Sequence, residues 1–448
     1  MDEIVLKIDK LANYHDQVSP ELIREKDIKL GLRNTDGTGV VAGITSKGLV
    51  IGYDKLPRAD GKGYDVRPVE GKLFYCGYDV ANLVGKIHGE ERFGFEEVVY
   101  LLLTGELPDT QDIERFSTMI RKRRPLNKME KGILMQESEN ENQMFALHSV
   151  VSHLSRCEAN PESTNIRDET ARCINLIAKV PTIVAYNYRV MRYRQGSNLS
   201  IINPDPKLST AENFLYMLKG KPPSKLEAFL FDLALILHVE HGGGNNSTFT
   251  VRSVSSSGAN TYMAICSGLA SLSGHLHGGA NESVMGMMKC IKKNVKDWKD
   301  RDEIRHLLEK ILDGNEYDGK GKIYGVGHAV YTLSDPRAVL LKEKAMEYAK
   351  IKDAMSELRL YNIVADVAEE LIYERKGLHV SANVDFYSGF IYKLMGIPKD
   401  LFTPIFAMAR VVGWSAHRIE QIIQNKIIRP AYVSSLPNEN EYKPLADR

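Results

Sequence analysis

Gly325-Val326-Gly327-His328 sets an imidazole behind two glycines, which are free to take positive φ and to let a ligand approach the backbone. Asp335-Pro336 then reads as a helix start, Asp at the N-cap and Pro at the first helical position, which puts Arg337 in the first turn. Positive charge opposes the helix dipole there, so Arg337 is expected to face an anion. His277 precedes Gly278-Gly279 and a predicted new helix, where an imidazole is biased towards the neutral form and can donate a hydrogen bond without ionising. Arg410 stands four residues after Phe406 on the apolar side of its helix, where an unpaired charge is costly and an anion or carboxylate is needed. Asp385, just before Phe386-Tyr387-Ser388-Gly389, reads as an N-cap. His238 and His241 can share a helix face, but they lack the H-E-x-x-H order and an evident third ligand, so no metal site is expected. The glycines of Gly242-Gly243-Gly244 explain that segment as a helix C-cap, with histidine near the last carbonyls.

The elements that must position these groups are mostly helical. Short strands are expected from Thr35 to Asp54 and again at Leu73–Tyr78, a small β patch near the N-terminus. From about Glu90 the periodicity turns helical, closing first at Gly105. The predicted helices that follow are Gln111–Arg123, Gln143–Ser155, Glu169–Arg192, Leu226–His238, Asn260–Leu272, Arg301–Leu312, Pro336–Ile351, Leu358–Lys376, Phe386–Met395 and Pro404–Gln424. Leu226–Leu237 is apolar on nearly all sides and belongs deep in the core. Glu137–Asn142 reads as a polar loop, and Thr403-Pro404 as the cap and first position of the last long helix.

A chain of 448 residues, 43% hydrophobic and 26% charged, is large enough for two domains. A net charge of +1 gives no general field for nucleic acid or an anionic membrane, so anionic ligands must be met by local arginines. Five cysteines without C-x-x-C spacing signal neither a disulfide framework nor a thiolate metal site, which fits a reducing compartment. An acidic N-terminus without a long apolar run reads as cytoplasmic.

Gly325-Val326-Gly327-His328-Ala329-Val330 with Asp335-Pro336-Arg337 resembles the citrate synthase signature, and Leu276-His277-Gly278-Gly279-Ala280-Asn281 and Val384-Asp385-Phe386-Tyr387-Ser388-Gly389 are similar to two more of that family's motifs. The resemblance runs from about Leu73 to Pro430 and implies a mainly α, two-domain fold, 1–279 plus 396–448 forming a large domain and 280–395 a small one. It implies His277, His328 and Asp385 as catalytic groups, with Asp385 the base that removes the methyl proton of acetyl-CoA. It implies oxaloacetate binding by His241, His328, Arg337, Arg410 and Arg429, the last reaching the partner site of a homodimer. Lys322, Ile323, Tyr324, Gly325, Val326 and Gly327, with Phe406 beside the acetyl group, are implied to hold CoA; no metal or cofactor is implied. Two departures stand out: Thr332, where many relatives place a basic residue on a CoA phosphate, and Cys76, where arginine is usual. Lysines 320, 322 or those between 289 and 299 are then expected to take over the phosphate.

The same motifs serve 2-methylcitrate synthase, because one methylene in an apolar pocket is worth only ~1–3 kcal/mol. A silent binding protein of this fold would lose a catalytic residue, and a metal-dependent hydrolase built on His238 and His241 would be lost to chelators.

Overall fold

The computed structural model describes residues 19–58, 64–137, 142–434 and 442–447. Gly43–Ile427 forms one compact unit, and Met1–Ala42 with Ile428–Arg448 a second. In the second unit the helix Pro20–Glu25 is opened by Ser19, whose hydroxyl accepts from the Glu21 N–H at 3.1 Å. A turn there is closed by a bridge between Arg33 and Gly39, with Asp36 accepting from the Thr38 N–H at 2.8 Å.

The fold is mainly α, with 17 helices and one three-stranded sheet among the described residues. The two expected strand regions join into that sheet: β1 (Gly48–Pro57), β2 (Tyr64–Tyr75) and β3 (Tyr78–Asp79), antiparallel in the order β1-β2-β3. Cys76 (φ 47°) and Gly77 (φ 88°) make the left-handed turn between β2 and β3.

Arg301–Leu312 and Pro336–Ile351 run as their sequence predicts, and the other expected helices differ by a few residues at their ends. Lys225–His238 is buried without interruption from Leu230 to His238. The one carboxylate of that buried stretch, Asp232, accepts from the Gly94 and Phe95 N–H groups at 2.7 and 3.3 Å, and so caps Phe95–Thr104 from a neighbouring helix. Burial pushes that carboxyl up to about 8. Val80–Gly89, Lys128–Glu137, Thr210–Lys219 and Asn246–Ser256 add to the predicted set. Thr210–Lys219 had a legible signal, the reciprocal capping box of Ser209 and Glu212.

Two helix starts correct the sequence reading. The cap of Val384–Leu394 is Asn383, whose side chain accepts from the Asp385 N–H at 3.0 Å, so Asp385 lies inside the first turn and its carboxylate is released for other work. The last long helix is Phe402–Gln424; the Thr403 hydroxyl, read as its cap, donates instead to the Gly278 carbonyl at 2.9 Å. Residues 138–141 of the expected polar loop lie outside the described residues. Among the described residues no helix is long and apolar enough to cross a membrane.

A cavity of about 1040 Å³ opens among Arg189, Arg192, Lys219, Lys221, Glu227 and Lys352. Its cations serve helix ends. Arg189 donates to the Met217 and Leu218 carbonyls at 3.3 and 2.6 Å, Arg192 and Lys219 lie in last turns, and Lys352 is the C-cap of Pro336–Ile351. The chemistry of this chain lies elsewhere.

Candidate active site

His328 follows the left-handed Gly325 (φ 78°) and Gly327 (φ 95°), and a Cβ on Gly325 would stand 2.6 Å from Val284 and 2.8 Å from Phe386. Its Nδ1 accepts from the N–H groups of Val330 and Tyr331 at 3.0 and 3.2 Å. A ring nitrogen that accepts twice carries no proton, so the neutral imidazole holds its hydrogen on Nε2, the form that donates to an oxygen. The ring lies 4.9 Å from that of His241 and 4.7 Å from that of Tyr331. His241 is buried at the end of the Lys225–His238 segment, and its Nε2 meets the Tyr331 hydroxyl at 3.2 Å. Burial first, then the charges of Arg337 and Arg410, hold His241 well below the usual histidine range, so it is neutral.

Arg337 finds its anion in its own cap. Asp335 N-caps Pro336–Ile351 and also accepts from Arg337 Nε at 3.0 Å and Nη2 at 2.7 Å, with both side chains buried. The Tyr331 ring covers the guanidinium at 5.6 Å.

Arg410 is different. It is 0% exposed, its Nε donates to the His238 carbonyl at 2.6 Å, and its guanidinium sits 4.6 Å over the Phe406 ring. Both terminal nitrogens, Nη1 and Nη2, are buried without a hydrogen-bond partner. Burial and the charge of Arg337 pull it down to about 10 against the help of Glu240, so it stays charged near neutral pH. An unpaired buried cation costs several kcal/mol. The position is stable only as a place for an anion.

His277 is half-buried, before Ala280–Asn294. Burial first, then the charge of Arg410, hold it down to about 4, so the expected neutral form is present through burial and Arg410. Its Nε2 meets Ser247 Oγ at 2.9 Å; that oxygen also accepts from Trp414 Nε1 at 3.3 Å and lies 2.9 Å from Asn245 Oδ1. Asp385 is pushed up to about 6 by burial and by Asp335, against the pull of Arg337 and Arg410. The charge of Arg410 thus bears on His241, His277 and Asp385 alike.

The glycine loop is tied to the base. Gly327 N–H donates to the Ser381 carbonyl at 2.8 Å, Asn383 N–H to the Gly325 carbonyl at 2.8 Å, and Val326 bridges Ala382. Lys322 is exposed, Ile323 buried, and the Tyr324 hydroxyl donates to Asp318 at 2.6 Å. Arg429 is exposed and belongs to the unit formed by the chain ends. His238 turns to the Tyr392 hydroxyl at 3.1 Å and His241 to Tyr331; among the described residues no three His, Cys, Asp or Glu side chains are grouped as metal ligands would be.

Tyr331, Ser247 and Glu240 were missed from sequence. Glu240, fully buried, accepts from His417 Nε2 at 2.9 Å and from the Gly242 N–H at 2.6 Å, bracing the turn after His241. Asn245-Asn246-Ser247 has no spacing to His277 that a motif could carry, since the two meet only by helix packing.

Residues 48–431 match the family model described as citrate synthase, C-terminal domain. The chain is 36% identical over 409 residues to a citrate synthase of Haloferax volcanii, covering 90% of this chain and 98% of that one. It is also 36% identical over 381 residues to a 2-methylcitrate synthase of Shewanella oneidensis, covering 84% and 92%. The solved citrate synthase of Thermoplasma acidophilum, in ternary complex with carboxymethyl coenzyme A and oxaloacetate, superposes with a TM-score of 0.74 at 25% identity over 94% of this chain and 99% of that one. With the helical fold and the His277, His328 and Asp385 motifs in place, these matches show that the chain is an enzyme of the citrate synthase family.

Proposed function

We propose that this enzyme condenses acetyl-CoA with oxaloacetate and hydrolyses the citryl thioester, giving citrate and CoA. The observation that carries the reading is Arg410, whose two unpartnered buried N–H edges stand where a dicarboxylate would be clamped beside neutral imidazoles. Planar guanidinium groups bind carboxylates through parallel hydrogen bonds. Arg410 and Arg337, with His241 and Arg429 of the partner subunit in a homodimer, hold oxaloacetate.

A thioester methyl is a weak acid, so its deprotonation needs a base and simultaneous stabilisation of the enolate oxygen. Asp385 takes the methyl proton. His277 donates to the thioester oxygen, which requires its proton on Nδ1 and leaves Nε2 to accept from the Ser247 hydroxyl. The enolate carbon attacks the ketone carbon, and His328 Nε2–H gives its proton to the ketone oxygen. Water then cleaves the thioester. These steps call on no metal or cofactor, the CoA thioester being a substrate.

Residues 322–327 and Phe406 receive CoA. Residues 280–395 act as a small domain that closes on the cleft; the glycine turns at 278–279 and at Gly396 (φ 70°) suit hinges at its two ends. The five unpaired cysteines suit a cytoplasmic enzyme.

The test is release of free CoA thiol, with oxaloacetate, from acetyl-CoA and propionyl-CoA side by side in buffer containing a chelator. A preference for acetyl-CoA supports citrate synthesis, and a preference for propionyl-CoA moves the enzyme to 2-methylcitrate, the activity named for the Shewanella relative. No release from either overturns the reading, and loss on chelation alone returns the metal hydrolase.

A further inference from the structure

The strip Val330–Ser334, between His328 and Arg337, leaves the helices and lies along the β1–β2 hairpin. The Thr332 hydroxyl donates to the Gly52 carbonyl of β1 and accepts from the Val69 N–H of β2 at 3.3 Å. The Ser334 hydroxyl donates to the Glu70 carboxylate and accepts from the Gly71 N–H at 3.0 Å. The fit is close. A Cβ on Gly52 would stand 2.6 Å from Tyr331 Cα, and one on Gly71 would stand 2.8 Å from Tyr331 Cδ1. Between these anchors Tyr331 is 1% exposed; its ring backs His328 at 4.7 Å, its hydroxyl meets His241 at 3.2 Å, and its face covers Arg337 at 5.6 Å.

We infer that the β1–β2 hairpin is the positioning frame of the catalytic loop, with Thr332 as its latch and Tyr331 as the piece it holds. The Thr332 hydroxyl is spent on two strands of the hairpin. It therefore acts through Tyr331 on His328 and His241, on the oxaloacetate side of the reaction, and takes no part in holding CoA phosphate. A hydroxyl that bonds two backbones at once fixes the loop in one register, and a misplacement of about 1 Å at such a site can cost on the order of a hundredfold in rate. Glycine at 52 and 71 is the matching requirement on the hairpin.

This inference rests on the proposed activity, and its test separates the two. Thr332→Val keeps the shape and removes both hydrogen bonds; Thr332→Ser keeps both. The expected result for Thr332→Val is a fall of about tenfold or more in kcat/KM for oxaloacetate, an unchanged KM for the acyl-CoA, and recovery in Thr332→Ser. The ¹⁵N shifts of the His328 ring, read on the full chain without substrate, should move in Thr332→Val and return in Thr332→Ser. Kinetics within about twofold of wild type, a change confined to the acyl-CoA KM, or a lowered Tm with neither kinetics nor ring shifts altered would overturn the latch. Unmoved ring shifts overturn it whatever the wild-type enzyme turns over, whereas wild-type silence with moved shifts overturns the proposed activity alone and supports the latch.

Discussion

Pro336–Ile351 and Phe402–Gln424 each bring one fully enclosed arginine to the same cleft, and the two are treated in opposite ways. Arg337 is met by a carboxylate two residues earlier in its own chain, and their mutual hydrogen bonds raise the affinity of the guanidinium for its proton despite burial. Arg410 is given a carbonyl for Nε and nothing for its other two nitrogens. The rule that a buried cation needs an anion holds for both. For Arg337 the fold supplies a hydrogen-bonded carboxylate, and for Arg410 no described residue bonds Nη1 or Nη2, which suits them to a ligand's carboxylate. The two arginines thus differ in who satisfies them, a distinction that burial alone does not make.

The strongest break in this scheme is the base. Asp385→Ala should lower turnover by about a hundredfold to ten-thousandfold while calorimetry still detects oxaloacetate, because Asp385 is not part of the arginine clamp. Unchanged turnover would remove the mechanism. Next comes Arg337→Leu, which leaves Asp335 buried and unpaired; the unfolding free energy should drop by about 3–5 kcal/mol in denaturant titration. A smaller change of opposite sign is expected for Arg410→Leu: a higher Tm without ligand, with oxaloacetate affinity down by about a hundredfold.

The pH dependence sharpens the same comparison. Asp385 titrates at about 6 and must be ionised to act, so kcat/KM for the thioester should fall as pH drops through about 6, while His277, at about 4, stays neutral across that window. The carboxyl is raised from 3.8, so the folded state holds its proton more tightly than the unfolded chain, and stability falls as pH rises from 3.8 to about 6, the full loss being reached above that. Asp385→Asn should therefore raise Tm at pH 8, and the gain should shrink as pH falls from about 6 and vanish only well below 3.8. A gain that persists undiminished well below pH 3.8 would mean the effect is packing and not charge.

Much of the site was legible because its residues are local in the chain. The glycines before His328, the Asp335-Pro336 helix start and the apolar setting of Arg410 are each patterns within a few residues, and each is built as its pattern requires. The core helix Lys225–His238 was equally plain, since a segment apolar on all sides has nowhere else to go. The partner of Arg337 was readable too, yet Asp335 was taken for a cap alone and does both jobs. Contacts distant in sequence were not. Ser247 meets His277, and Gly52 and Gly71 receive Tyr331, only after helices and hairpin pack, and no spacing rule carries such pairs. Helix ends were least certain: Asn383, two residues before Asp385, is the cap and accepts from the Asp385 N–H, so the helix starts earlier than expected.

The most direct measurement is calorimetric titration of oxaloacetate into wild type and Arg410→Leu, with Tm read on the same samples. The account predicts that wild type binds and is stabilised by the ligand, while Arg410→Leu is the more stable protein without ligand, binds oxaloacetate about a hundredfold more weakly and gains correspondingly less from it. Equal affinity in the two proteins, or a lower Tm for empty Arg410→Leu, would contradict it.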